Sequence, residues 1–463
     1  MDAPVAHTGR DARLDRERHV VVQKFGGTSV ADAEKLRASA QHALAARARG
    51  LRVVLVVSAM GHSTDHLLDL ADTLITPAYP ELDQRELDAL LATGEQVACA
   101  MMAMTLRSLG QPAASLTGLQ AGIRTDAVHG RATIRSIDGA RVEALLDQGV
   151  VPVVCGFQGV NDAGDVTTLG RGGSDTTAVA LAARLGGVCE IYKDVSGVFT
   201  ADPRIVPDAR LRPVVVYEEM LEAASLGSQV IHPRAVELAR KYDVPVRVLH
   251  SQHDASAQQR GTVVLAESTE MESRVVSSVV LKRGVARVSI RGLPNHPGVQ
   301  SSVFGPIAQA HIPVDDIMQE DDGPGTINLT FTLDKKDLPQ VNRIIQAMAP
   351  AIGAQALRAD GGLSTVSAVG AGMRSSSGVA ATMFKALADE GVLVENITTS
   401  EIRISAVVRE ADGERAVRCI HRAFGLHSPE SEAQAAATLA GVLNDRAESL
   451  RELKPGAGSA LGK

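Results

Sequence analysis

The sequence predicts an α/β protein: a mostly parallel sheet covered by helices on both faces, followed by two smaller ferredoxin-like βαββαβ units. Three observations carry this expectation. Between residues 19 and 265, short and nearly continuous apolar runs alternate with helical patterns, as expected for strands buried on both faces of a parallel sheet. Beyond them comes an internal repeat, in which Gly298-Val299, Phe304, Ala308, Val314 and Ile317 recur as Gly378-Val379, Phe384, Ala388, Val394 and Ile397 at a constant offset of 80 residues. Finally, two strands run straight into glycine-rich turns that open helices, and in open α/β sheets ligands bind at such carboxyl ends.

In chain order, residues 1–18 are charged and polar and read as a disordered or loosely helical tail. Strands are expected at Val20–Val22, Val53–Val57, Val151–Val154, Glu190–Tyr192 and Val246–Leu249. The first glycine element is Gln23-Lys24-Phe25-Gly26-Gly27-Thr28-Ser29-Val30. The second is Thr167-Thr168-Leu169-Gly170-Arg171-Gly172-Gly173-Ser174-Asp175, whose glycines leave backbone N–H groups free to face an anion while Arg171 adds a forked cation. Ser174 and Asp175 stand where the following helix begins, and Asp175 is placed to cap it. Singly, each element reads as a tight turn with a good helix cap; together they suggest a site that holds phosphates beside a second anion. Neither is a Walker motif or a Gly-x-Gly-x-x-Gly fingerprint. In the repeat, helices are expected over Val299–Ala310 and Val379–Glu390. The repeat has no nucleophile–base pair and no phosphate loop, so it reads as a binding or assembly module. Residues 427–463 read as a helix and a loose tail.

Composition narrows the function. A chain of 463 residues has room for two or three domains. A net charge of −7, no basic stripe, and few aromatics with no Trp argue against a nucleic-acid or anionic-membrane partner. Cys99, Cys155, Cys189 and Cys419 are scattered through apolar segments without metal-ligand spacing, as expected of reduced core cysteines, and no metal-ligand set is assigned. The start of the chain does not read as a signal peptide, and no apolar run reads as long enough to span a bilayer, so a cytoplasmic protein is expected.

With these motifs in hand, the chain resembles the aspartokinases, which join an amino-acid kinase domain to two ACT domains. The resemblance rests on Val22-Gln23-Lys24-Phe25-Gly26-Gly27-Thr28-Ser29-Val30, Thr93-Gly94-Glu95-Gln96, Gly156-Phe157-Gln158-Gly159, Thr168-Leu169-Gly170-Arg171-Gly172-Gly173-Ser174-Asp175, Thr200-Ala201-Asp202-Pro203-Arg204 and His232-Pro233, with Gly370-Ala371-Gly372-Met373 and Thr399-Ser400-Glu401-Ile402 in the second repeat. It implies a tail (1–18), a kinase domain (19–268), a first ACT region (269–360), a second ACT domain (361–426) and a C-terminal tail (427–463). It also implies ATP- and Mg²⁺-dependent phosphorylation of the β-carboxylate of L-aspartate, an early step toward lysine, threonine and methionine. By that resemblance Lys24 meets the phosphates, Gly26, Gly27, Thr28 and Ser29 line their pocket, and Asp175 orients Lys24. Arg171 grips the substrate α-carboxylate, Glu95 its ammonium, and Ser58, Thr64 and Ser174 line the substrate pocket. Read without the family, one alternative for Glu95 is a cap for the helix that follows Thr93-Gly94. Lys193, Asp194, Phe199, Asp202, Arg204 and Gln229 fall on the nucleotide side.

The sequence departs from the family in two places. Its nucleotide loop, usually Tyr-Thr-Asp-Val-Asp-Gly-Val-Tyr, reads Tyr192-Lys193-Asp194-Val195-Ser196-Gly197-Val198-Phe199, and the usual Gly-Ala-Lys-Val reads Gly227-Ser228-Gln229-Val230. A lysine is lost at 229 and one gained at 193. In the ACT units, Asn295, Pro313 and Leu393 stand where the effector site has an aspartate and two asparagines, while Gln319 remains; this predicts weakened feedback control. Self-association through the ACT units is implied, and Met271 falls where the internal start of a small subunit would lie in some family members. Two other readings stand beside an active aspartate kinase: a regulatory or assembly protein with a decayed kinase domain, and a kinase of the same fold acting on another acid such as glutamate.

Overall fold

The computed structural model describes residues 20–76, 79, 82–228, 230–253, 255, 261–266 and 275–428. The two terminal tails (residue 427–428 aside), Gln229 and Met271 lie outside them. The first part of the chain runs β1 (Val20–Phe25), α1 (Ala33–Ala48), β2 (Arg52–Val57), α2 (Ser63–Asp72), α3 (Gln84–Ser108), β3 (Ala113–Leu116), β4 (Ile123–Thr125), β5 (Ile134–Ile137), α4 (Ala140–Asp147), β6 (Val151–Cys155), β7 (Gln158–Val160) and β8 (Val166–Thr168). It continues with α5 (Gly173–Leu185), β9 (Val188–Lys193), β10 (Val214–Val216), α6 (Tyr217–Ser225), α7 (Pro233–Tyr242), β11 (Val246–His250) and β12 (Thr262–Leu265).

Eight of these strands form one sheet in the order β10-β12-β11-β9-β1-β2-β6-β3, parallel except where β11 meets β12. β1 and β2 are Val-rich and buried on both faces, as a sheet covered by helices on each side requires. One face packs a core of Val22, Val54, Val179, Leu181 and Tyr217; the other packs Phe25, Leu36, Leu55, Met102 and Leu106. A separate four-stranded sheet, β5-β4-β7-β8, forms beside it. The expected strands are present, each extended by one to three residues.

α3 corrects one expectation. Its 25 residues are long and apolar enough to cross a membrane, contrary to the reading that no apolar run is. Half of that stretch is buried in the protein, where Leu91, Ala98, Met102 and Leu106 pack into the core.

The second part runs β13 (Ser278–Pro294), α8 (Val299–Gln309), β14 (Asp315–Asp321), β15 (Thr326–Asp334), α9 (Leu338–Ile352), β16 (Ala356–Val369), α10 (Val379–Asp389), β17 (Val394–Ser400), β18 (Arg403–Arg409) and α11 (Gly413–Ala423). The repeat helices α8 and α10 each end one residue short of their expected ends. All six strands join one antiparallel sheet, β14-β15-β13-β16-β18-β17. β13 and β16 are long because each serves both units. Arg287–Arg291 of β13 pairs with Ala356–Asp360, whereas Ser278–Lys282 pairs with Thr365–Val369. Each unit keeps its own core, around Phe331, Ile290 and Val341 in the first and Met383, Val366 and Ile420 in the second.

Candidate active site

Four neighbouring strands of the large sheet end side by side. Phe25 is in register with Val57 and with Tyr192, and Val57 with Cys155. Asp194, Gly26, Ser58 and Gly156 therefore follow one another along a single carboxyl edge, the usual place for a ligand in such a sheet. The first turn of α5 reaches the same edge.

Lys24, on β1, and Asp175, in the first turn of α5, are 5% and 4% exposed. The Lys24 Nζ lies 2.6 Å from Asp175 Oδ1, and the Lys193 Nζ lies 3.2 Å from Asp175 Oδ2. Burial pushes the Lys24 ammonium below its ordinary range, partly opposed by Asp175. Burial would raise the Asp175 carboxyl, but Lys24 and Lys193 outweigh it and hold the group well below the usual carboxylate range. Two cations thus share one carboxylate, leaving an excess positive charge. The expectation that Asp175 caps α5 is corrected. The cap position is Gly172, left-handed at φ 71°, with no side-chain cap hydrogen bond, and the Asp175 carboxylate faces the lysines instead.

The first glycine element becomes a short 3-10 turn, Gly27–Val30. A Cβ on Gly27 would lie 2.7 Å from the Ala59 carbonyl oxygen and 2.9 Å from that of Gly61, so no side chain fits there. Gly26 is beside the Lys24 ammonium, Thr28 is exposed, and Ser29 is buried with its hydroxyl unpaired among the described residues.

Glu95 lies near the middle of α3, not at a helix start, which removes its reading as a cap. The preceding Gly94 lets the helix approach the segment after β2, since a Cβ there would sit 2.9 Å from Ala59 Cβ. This approach brings Glu95 Oε1 within 2.9 Å of the Ala59 N–H, which donates to it. Oε2 is buried with no hydrogen-bond partner among the described residues. Burial raises the Glu95 carboxyl to about 7, opposed by the Ala59 N–H and by the Lys24 charge. Lys24 therefore influences both buried carboxylates.

Of the other expected substrate residues, Ser58 and Thr64 are half-buried and Ser174 is buried. Arg171 projects into solvent from the glycine turn with no ion pair or hydrogen bond among the described residues. On the expected nucleotide side, Asp194 is exposed and Phe199 is half-buried, bridged to Leu211. Arg204 folds back on Asp202, with Nη2 to Oδ2 at 2.7 Å. That ion pair holds the Asp202 carboxyl below its usual range.

Two positioning residues escaped the sequence reading. Arg234, after His232-Pro233, donates to the carbonyls of Leu169 and, at 3.0 Å, Ala132, which ties α7 to the second glycine turn. Asp88 is buried on α3; it accepts from the Thr168 hydroxyl and from the Gly130 N–H, and lies 2.8 Å from His129 Nδ1. Neither belongs to a glycine motif, and only the adjacency of Arg234 to His232-Pro233 gave a signal.

The residues expected at the effector site are open to solvent. Asn295 donates its backbone N–H to Gly325, Pro313 is exposed, and Leu393 is 76% exposed. Gln319 Oε1 accepts from Gln300 at 2.8 Å.

This fold and site define a class, and comparison with known proteins gives the same one. Residues 19–250 match the amino acid kinase family and residues 366–424 the ACT domain. The aspartokinase of Pseudomonas aeruginosa is 45% identical over 418 residues, 90% of this chain and 100% of that protein. The aspartokinase of Mycobacterium tuberculosis is 46% identical over 420 residues, 89% and 97% of the two chains. Among solved structures, E. coli aspartokinase III in complex with aspartate and ADP (R-state) has a TM-score of 0.72 at 26% identity, covering 88% of this chain and 99% of that one. The chain belongs to the aspartokinase family.

Proposed function

We propose that this protein is an active aspartate kinase, acting in the cytoplasm. It transfers the γ-phosphoryl group of ATP to the β-carboxylate of L-aspartate and releases 4-phospho-L-aspartate, an early intermediate toward lysine, threonine and methionine. The observation that carries this reading is the cluster of Lys24, Asp175 and Lys193 at the carboxyl edge of the sheet, with buried Glu95 nearby.

A carboxylate nucleophile is ionised at neutral pH and needs no general base. The chemical problem is to bring two anions together and to stabilise charge on the transferred group. Lys24, held by Asp175, supplies a fixed cation where that charge develops. Gly26, Gly27, Thr28 and Ser29 face the phosphates, and ATP arrives as its Mg²⁺ complex with the metal carried on the phosphate oxygens. The unpartnered Glu95 Oε2 receives the substrate ammonium. Arg171, which has no ion pair among the described residues, binds the α-carboxylate, for which a bidentate fork is suited. Ser58, Thr64 and Ser174 line the substrate side; Lys193, Asp194, Phe199, Asp202, Arg204 and Gln229 lie toward the nucleotide. The intact set of Lys24, Glu95, Arg171 and Asp175 favours activity over a decayed kinase domain.

The sheet edges of the ACT region suit self-association. β14 and β17 are its outer strands, and their repeat-related Ile317 and Ile397 are 54% and 45% exposed. A small subunit beginning at Met271 would contain every strand of that sheet.

The test is to trap the acyl phosphate with hydroxylamine. Aspartyl hydroxamate should accumulate with ATP, Mg²⁺ and aspartate. Faster hydroxamate formation from glutamate would refute the substrate assignment, and none from any acidic amino acid would refute the activity.

A further inference from the structure

The segment that follows β9, from Thr200 to Arg210, is packed mainly on the second ACT unit. Ala201, Ile205 and Val206 belong to the same apolar cluster as Val279, Val366, Ile420 and Leu426. The Thr200 carbonyl accepts from the Val279 N–H at 2.8 Å, and Arg210 Nε donates to the His427 carbonyl at 2.6 Å. At the centre of this contact Thr200 Oγ1 lies 2.9 Å from His421 Nε2, on α11. Thr200 and His421 are 7% and 2% exposed. Thr200 Oγ1 also accepts from the Arg210 N–H at 2.9 Å, which leaves its own proton to donate to a neutral His421. Burial lowers the His421 imidazole below its ordinary range, which favours that neutral form.

We propose that His421 is a positioning residue for the nucleotide: through the Thr200 hydroxyl, the last helix of the second ACT unit fixes the loop that presents Asp202 and Arg204. The proposal rests on the assignment of that loop to the nucleotide side. Two elements far apart in sequence are joined by one buried polar pair, and Asp202 and Arg204 stand two and four residues beyond it. Loss of the pair leaves the apolar contacts and the Thr200 backbone hydrogen bonds to Val279 and Arg210 in place but removes the side-chain anchor at the start of the loop. The substrate side, Ser58, Arg171 and residues of α2, α3 and α5, contributes none of the residues named in this contact.

The test uses the full chain and reads ADP affinity by calorimetry together with separate KM values for ATP and aspartate. Thr200→Val and His421→Ala should each weaken ADP and raise the ATP KM about three- to tenfold, with the aspartate KM changed less than about twofold. The double variant should be no weaker than either single one, because both remove the same interaction. Thr200→Ser, which keeps the hydroxyl, should restore ADP binding. Unchanged ADP affinity in both single variants, additive losses in the double variant, or equal rises in both KM values would overturn the proposal. Asp202→Asn and Arg204→Ala are measured in parallel. If they weaken ADP while Thr200→Val and His421→Ala do not, only the role of His421 fails. If they too leave ADP binding unchanged, the nucleotide assignment of the loop fails and takes the proposal with it.

Discussion

Glu95 is the residue whose chemistry is most exposed to pH. Its carboxyl is raised from an ordinary value of 4.5 to about 7, mainly by burial. An ammonium is bound by the ionised form, so kcat/KM for aspartate should fall as pH drops below about 7. Glu95→Gln should flatten that limb while lowering kcat/KM throughout. A limb unchanged in Glu95→Gln would assign it to another group. The same shift has a stability consequence of opposite sense. The folded protein binds a proton more tightly than the unfolded chain, so this group lowers stability as pH rises through the interval from about 4.5 to about 7. At pH 8 the penalty is up to about 3 kcal/mol, so Glu95→Gln should melt higher than the natural protein at pH 8 and at a similar temperature near pH 4.5. A uniform difference across that range would contradict the assigned shift.

At the level of elements, α3 shows what could and could not be read from the sequence. The apolar strands of the large sheet and the repeat helices were legible because their periodicity is local. Thr93-Gly94-Glu95 was readable as a motif but misleading as structure, since a threonine–glycine pair also suggests a helix boundary. The helix passes straight through Gly94 because the neighbour that forbids a side chain there, Ala59, is distant in sequence. Asp175 misled in the same way: its position suggested a cap, and the partners that claim it, Lys24 and Lys193, come from other strands. Gly94→Ala tests the close approach. The new Cβ must displace the Ala59 segment, at about 1–3 kcal/mol, against about 1 kcal/mol gained from helix propensity. Thermal stability should therefore change little or fall by a few degrees, while the aspartate KM rises several-fold because the Ala59–Glu95 hydrogen bond is stretched. An unchanged KM would show that the substrate side tolerates the displacement.

Across the whole molecule, the ACT units and the kinase domain are firmly joined. Glu219 of α6 accepts from the Ala371 N–H at 2.8 Å, and Arg403 pairs with Glu222 at 3.1 Å. At the positions expected to form an effector site, polar groups for an amino acid are depleted. Asn295 lacks the charge of a carboxylate, and Pro313 and Leu393 offer no side-chain amide. Of the three residues placed to replace them, Asp316 lies 3.6 Å from Arg403 and Gln319 is bonded to Gln300, while Glu320 is exposed. Losing a charge-assisted contact costs about 1.5–3 kcal/mol, and each unmatched polar group about 1–3 kcal/mol. Lysine and threonine, alone or together, should therefore leave activity at subsaturating aspartate largely intact. Half-inhibition at or below about 1 mM would show that the site has been rebuilt from other groups.

The two ACT units also share β13 and β16, each strand contributing one end to either unit. Neither unit can open at β13 or β16 without stripping hydrogen bonds from the other, which couples their unfolding. Cutting the chain between the repeats would leave each fragment with half of a sheet. Mutational drift in one half is thereby constrained by the folding of the other, and a shared backbone of this kind gives reason for both units to persist whether or not either binds a ligand.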